Sequence, residues 1–289
     1  MRRALIVLAC FLLAVVAAGC DLRTDTPPGA GKLRYRDAVF ARQTVTRGVI
    51  YRTAKDQSGT PVQLAMDVYQ PIGDPVTKRP AIVWIHGGSF CCGDRTSGEI
   101  VDQINAFTKR GYVNVSIDYR LDPTGCTSYG DACIQAIRDS WHDAQAAVRY
   151  LRDHAAQYRI DPTRIAAGGS SAGAITALNV AYGADDPGPG PKPATSSAIR
   201  SAVSLSGAAL LTTPHKGGAA ALDFHGTSDG LVPYAWSTST VDAAKKAGLI
   251  IERQTFPGAG HVPYQFRNTI IAQESNFLYW TMDLAHAAR

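Results

Sequence analysis

The chain has 289 residues, of which 45% are hydrophobic and 18% charged. These proportions belong to a globular protein with room for a large core, exclude a disordered chain, and suit one α/β domain. The formal charge of +5 falls to +3 without residues 1–19, which hold Arg2 and Arg3 and no acidic residue; 27 scattered basic residues against 24 acidic ones point to neither a nucleic-acid nor a polyanionic partner.

Met1-Arg2-Arg3 is a basic start, residues 5–18 form an apolar run, and small residues precede Cys20. Residues 1–19 therefore read as an export signal, too short to span a bilayer as a mature helix. Ala17-Ala18-Gly19-Cys20 resembles the end of a bacterial lipoprotein signal, with Ala17 where that pattern carries Leu. The resemblance implies a lipid anchor on Cys20 that holds the protein at a membrane surface; cleavage without lipidation is the alternative. Either reading places the mature protein outside the cytoplasm. Residues 20–34, with Pro and Gly prominent, read as a flexible tether to a domain over 35–289. Cys10 lies in the signal, so four cysteines remain besides Cys20: Cys91, Cys92, Cys126 and Cys133. An even count in an oxidising compartment suggests disulfides. Cys126–Cys133 is the simplest local bridge, with a strained vicinal Cys91–Cys92 bond and cross-pairs between the two loops as the other pairings. No histidine stands at ligand spacing from them, so no metal is expected.

Residues 44–53 and 62–69 alternate in polarity around a turn cluster and predict an antiparallel hairpin. Residues 81–85 are an unbroken apolar run, as in a parallel strand buried on both faces. The run stops at His86-Gly87-Gly88-Ser89-Phe90, where two glycines let backbone N–H groups point into a shared cavity. A helix over 97–110, a strand over 113–121, the loop carrying Cys126 and Cys133, and a long helix over 132–158 follow. In that helix Ile134, Ile137, Trp141, Ala144, Val148 and Leu151 recur at three- and four-residue spacing. Residues 165–167 end a short strand, 172–182 read as a helix, and Gly169-Ser170-Ser171-Ala172-Gly173 joins them. Four prolines mark 185–197 as a surface loop. Strands over 202–206 and 221–225 are separated by about fifteen residues, too few for a large lid domain. A helix over 234–247, a strand over 249–256, a Gly-rich segment over 257–261 and a closing helix over 267–286 complete the chain. The alternation predicts an α/β fold with a mostly parallel sheet covered by helices on both faces. Every candidate motif follows a strand, at the edge where open α/β sheets bind ligands.

A single residue that turns a strand into a helix is strained, and its neighbours two before and two after must lack side chains. Only Ser171 satisfies this, because Ser170 would need a glycine at 172, which is alanine. A serine hydroxyl is a poor nucleophile at neutral pH and needs a base with an orienting partner. Of the seven histidines, only His261 lies in a Gly-rich loop after the last strand. His86 belongs to the glycine loop, His142 and His154 to a helix, His215 to the short connection, His225 to a strand end and His286 to the last helix. Asp229, in a Ser-Asp-Gly turn, is the candidate carboxylate; Asp223 lies within a strand and Asp242 mid-helix. The bland readings are a Gly-rich turn, a surface histidine and a helix-capping aspartate.

Taken together, His86 to Phe90, Asp118-Tyr119-Arg120, Gly169 to Gly173, His225-Gly226-Thr227-Ser228-Asp229 with Val232-Pro233, and Gly260-His261 carry a resemblance. From about residue 60 onward the chain resembles bacterial carboxylesterases of the α/β-hydrolase superfamily, including the hormone-sensitive-lipase-like esterases. The resemblance implies the α/β-hydrolase fold, with Ser171 as nucleophile, His261 as general base and Asp229 as its orienter, in that superfamily's chain order. It also implies an oxyanion hole from the backbone N–H groups of Gly88, Ser89 and Ala172, with His86 and Gly87 supporting the loop. Ser89 stands where the family's H-G-G-G form has its third glycine, and the family's N-terminal cap helices are not evident. No metal or organic cofactor is implied. The expected activity is hydrolysis through an acyl-enzyme of short acyl esters, or of acetyl or feruloyl groups on polysaccharide, with no nucleic-acid partner. Two other readings are a peptidase of related fold, which would need a propeller domain absent from these residues, and a binding protein that has lost catalysis, although this chain keeps all three triad candidates.

Overall fold

The computed structural model describes residues 31–287 apart from 127, 184 and 189–192. The export signal, Cys20 and most of the tether lie outside the described residues. β1 (Gln43–Lys55) and β2 (Pro61–Pro71) pair antiparallel, as the hairpin pattern predicts. β3 (Arg79–Ile85) is buried at every residue, which its apolar run requires of a strand with helices on both sides. α1 (Gly98–Thr108) turns Ile100, Ile104 and Phe107 to the sheet, and β4 (Val113–Ile117) is again wholly buried. Then come α2 (Asp131–Asp153), α3 (Ala155–Tyr158), β5 (Ile160–Ser170) and α4 (Ala172–Tyr182). β6 (Ser201–Leu205), β7 (Ala220–Gly226), α5 (Tyr234–Lys246), β8 (Ile251–Phe256), α6 (Arg267–Thr281) and α7 (Leu284–Ala287) finish the fold.

The sheet runs β1-β2-β4-β3-β5-β6-β7-β8, parallel from β4 to β8. One apolar layer packs Val83, Ile85 and Val115 against Ile137 and Val148 of α2 and Ile175 of α4. The other packs Trp84, Val203 and Phe224 against Ile104 and Phe107 of α1 and Phe277 of α6. The registers Ile85↔Gly169, Ser170↔Leu205, Leu205↔Phe224 and Gly226↔Phe256 bring five strand ends to one edge. The loops that begin at His86, Ser171, Ser206 and Thr227 leave from that edge.

Element boundaries depart from expectation where backbone or side chains intervene. The long helix stops at Asp153, because His154 leaves helical geometry (φ −104°, ψ 23°) while its ring contacts the Tyr150 carbonyl, and Arg159 closes α3 in the left-handed region. The closing helix likewise breaks after Thr281, with Asp283 at φ 55° before α7. The strand expected to 121 ends at Ile117, since residues 118–120 leave the ladder to hold neighbouring loops. β5 starts five residues before its expected short core, where Ile160 pairs with Arg79. Cys126 and Cys133 are disulfide-bonded, and Cys91 and Cys92 are free thiols, so neither the vicinal bond nor a cross-pair forms. Among the described residues no helix is long and apolar enough to cross a membrane.

Candidate active site

The turn from β5 into α4 leaves Ser171 at φ 53° and ψ −119°, a conformation that costs an L-residue free energy and persists only where the surroundings hold it. Its own N–H donates to Leu205 O at 2.8 Å, pinning the turn to β6. The two flanking glycines are required by space. A Cβ on Gly169 would lie 2.6 Å from Gly173 C, and one on Gly173 would lie 2.0 Å from Ile85 O. Strand and helix therefore meet over the end of β3, against the Ile85 carbonyl, a long-range partner that no local sequence pattern announces.

Asp229 follows β7 and His261 follows β8, so adjacent strand ends carry both toward Ser171. His261 Nδ1 lies 2.8 and 3.0 Å from the two Asp229 oxygens, and Nε2 lies 2.7 Å from Ser171 Oγ. An ionised carboxylate only accepts hydrogen bonds, which places the imidazole proton on Nδ1 and leaves Nε2 free to accept from the serine hydroxyl. Burial pushes the Asp229 carboxyl up, but the His261 hydrogen bond and the Leu231 and Val232 N–H donors, both at 2.9 Å, outweigh it and hold the carboxyl below its ordinary range. The rejected aspartates are accounted for. Asp223 accepts from Ser204 and Ser237, and Asp242 is exposed on α5.

His225, read from the sequence only as the end of a strand, is fully buried beside Asp229. Its Nε2 donates to Val232 O at 2.9 Å and lies 3.3 Å from Asp229 Oδ2. Burial alone would push this imidazole down; Asp223 beside it, the Val232 carbonyl and Asp229 carry it above its usual value.

The glycine loop runs through three successive left-handed residues, Gly88 (φ 116°), Ser89 (φ 51°) and Phe90 (φ 62°). Gly88 is irreplaceable in space as well, since a Cβ there would lie 2.0 Å from Cys92 O. Among the described residues, the backbone N–H groups of Gly88, Ser89 and Ala172 donate to no protein acceptor, as donors kept for a ligand must. His86 supports the loop from below: Nδ1 bonds Gly87 O at 2.7 Å and the ring stacks on Tyr119 at 4.3 Å. Burial lowers its pKa, an effect only partly countered by the Gly87 carbonyl and the charges of Asp118 and Asp94. The triplet after β4 braces the loop. Asp118 holds Arg95, Tyr119 Oη donates to His86 O at 3.1 Å, and Arg120 forks onto Asp143 of α2.

Two cavities open on Ser171. One, of about 230 Å³, runs inward between Phe90, Ile137, Ile175, Leu210, Leu231 and Trp236, with the Cys126–Cys133 bridge in its wall. The other, of about 550 Å³, is lined by the glycine loop, by Ser97, Gly98 and Glu99 at the start of α1, by Ser170, and by His261 and Val262. A larger hollow of about 620 Å³ between α1 and α6 shares no lining residue with either. Neither Trp236 nor Glu99 is marked by a sequence motif; each reaches the site from a helix distant in sequence. Among the described residues no cluster of three or more His, Cys, Asp or Glu could hold a metal ion.

Residues 66–188 match the BD-FAE family model. Over 125 residues, 42% of the chain, it is 36% identical to the carboxylesterase NlhH of Mycobacterium tuberculosis, of which it covers 35%. It is 33% identical to Lipase 1 of Geotrichum candidum over 130 residues, 43% of this chain and 23% of that one. The chain thus spans a quarter to a third of the length of these relatives. Among solved structures it resembles Thermogutta terrifontis esterase 2 phosphoramylated by tabun (TM-score 0.65, 26% identity, 85% of this chain and 92% of that one). The same esterase with propionate bound matches at TM-score 0.65 and 25% identity, over 84% and 92%. With its sheet order, its elbow and these likenesses together, the chain has the α/β-hydrolase fold and is similar to esterases that share it.

Proposed function

We propose that the protein is a serine carboxylic-ester hydrolase working through an acyl-enzyme. The observation that carries this reading is the continuous hydrogen-bonded chain from Ser171 Oγ through His261 to Asp229. Ser171 Oγ attacks the ester carbonyl as His261 Nε2 takes its proton, and the N–H groups of Gly88, Ser89 and Ala172 receive the charge that develops on oxygen. His261 then returns the proton to the departing alcohol, and a water activated by the same ring releases the acid. Asp229 fixes the tautomer and steadies the imidazolium; no cofactor enters any step.

The same logic sorts the two cavities. The group that receives the proton must sit beside His261, so the alcohol occupies the 550 Å³ cavity, which His261 lines. The acyl group takes the 230 Å³ one, which His261 does not line. A dry cavity of about 150 Å³ holds a benzene ring, so this pocket has room for a short acyl chain or a single aromatic ring such as that of a feruloyl group. The neighbour solved with propionate bound supports the short-acyl end of that range.

The test is hydrolysis of p-nitrophenyl esters from acetate to long chains, with Ser171→Ala alongside. Rates should be highest for acyl groups of about two to four carbons, and the variant should lose at least roughly a thousandfold in kcat. Equal rates in the two proteins would overturn the assignment.

A further inference from the structure

Resting on the esterase reading, we propose that Glu99 sets the charge preference of the alcohol side of the site, favouring cationic alcohols over neutral ones and rejecting anionic ones. The 550 Å³ cavity is lined mostly by Gly and Ser, and its only charged or titratable side chains are His261 and Glu99. Glu99 stands in the first turn of α1 and its carboxylate accepts from Ser170 Oγ, whose side chain is buried beside the nucleophile. A Cβ placed on Gly87 would lie 3.3 Å from both Ser170 Oγ and Ser171 Cβ, so the hydroxyl that holds Glu99 and the reacting serine border the same small space. The carboxylate is therefore anchored beside the bond to be broken, on the side where the alcohol leaves.

Its charge is not cancelled. Among the described residues no Lys or Arg forms an ion pair with Glu99, and the nearest arginine in sequence, Arg95, is committed to Asp67 and Asp118. The N-terminus of α1 offsets roughly half a charge, which leaves a net negative field in an open cavity where Glu99 is itself half-buried. Unit charges about 4 Å apart interact by about 1 kcal/mol in bulk water and about 4 near a protein surface. With about half of that charge offset, discrimination between isosteric alcohols differing only in charge should be roughly two- to thirtyfold in kcat/KM.

The experiment compares acetylcholine with its neutral isostere, 3,3-dimethylbutyl acetate, and p-nitrophenyl acetate serves as the reference for basal turnover. Choline and 3,3-dimethylbutanol are run as inhibitors of the reference reaction. In the wild type the choline ester should be preferred, choline should inhibit more strongly than the neutral alcohol, and both preferences should shrink as salt rises. Glu99→Gln should bring both ratios to about one. A general disturbance of the elbow through Ser170 would change all rates together and leave the ratios where they were. Ratios near one in the wild type, or ratios unchanged in Glu99→Gln, overturn the proposal. Loss of p-nitrophenyl acetate hydrolysis in the wild type would instead remove the esterase reading, and this inference with it.

Discussion

At the scale of single residues, two of the strained positions of the site, Ser171 and Ser89, are of different kinds. Ser171 is held at positive φ because strand, helix and the Ile85 carbonyl converge on Gly169 and Gly173, and the pattern of glycines in the sequence announces that crowding. Ser89 is held at φ 51° by a loop in which its neighbours also take left-handed geometry, at a position where a glycine would rest without strain. A left-handed L-residue costs roughly 1–2 kcal/mol, and glycine gives back roughly 0.5–1 in unfolded-chain entropy. Ser89→Gly keeps the backbone donor, so it should raise stability by up to about 1 kcal/mol and leave kcat/KM within about threefold. Thermal unfolding and p-nitrophenyl acetate kinetics check both halves. A loss of more than about tenfold in kcat/KM would mean that the serine side chain itself takes part. The residue the motif reading undervalued is His225: nothing in a strand-end histidine announces contact with Asp229, because that contact depends on how the loop after β7 folds back.

Among the elements, the motifs were legible because each follows a strand whose apolar run stops abruptly, and parallel strands in register bring those stops to one edge. The 230 Å³ cavity beside Ser171 was not legible. Its walls come from α2, α4, α5 and four loops, and the residues that shape it look in sequence like ordinary helix-face or loop positions. Trp236, at the start of α5, meets Tyr129 at 6.0 Å between ring centroids. These two residues and Leu210 border both the 230 Å³ cavity and a neighbouring 420 Å³ hollow along α5. Trp236→Ala removes the larger half of that partition, so the preferred acyl chain should lengthen by several carbons while acetate turnover changes little. The p-nitrophenyl ester series run on this variant decides it, and an unchanged chain-length profile would place the limit elsewhere. The Cys126–Cys133 bridge joins the loop after β4 to the start of α2, closing the loop that carries Tyr129 into the wall of the same pocket.

Over the whole molecule, the packing of α1 against α6 buries a carboxyl far from the site. Glu274 is completely buried, and Gln103, with its amide nitrogen turned inward, donates to it at 2.9 Å. Burial raises its pKa well above the ordinary value, and Arg110 and Arg267 only partly counter this. Between the unfolded and the raised folded pKa the folded state keeps a proton that the unfolded state releases. Stability therefore falls as pH rises through that window, by up to about 1.4 kcal/mol per pH unit. Glu274→Gln removes the dependence, so the Tm difference between variant and wild type should grow in the variant's favour from pH 5 to pH 8. A difference that stays constant across that range would show that the carboxyl is not held protonated.

The sequence by itself announced the fold class and the strand-ending motifs, and it marked Ser171, His261 and Asp229 as site candidates and Cys126–Cys133 as the simplest of several cysteine pairings. Each of these is written in short-range steric or periodic constraints: an apolar run, a glycine where a carbonyl must pass, a turn of few residues. Only the tertiary structure decided that two cavities open on Ser171, that Glu99 stands beside Ser170, and that His225 lies against Asp229. Those contacts join residues far apart in the chain, and their geometry is set by how helices lie on the twisted sheet, which no local pattern encodes.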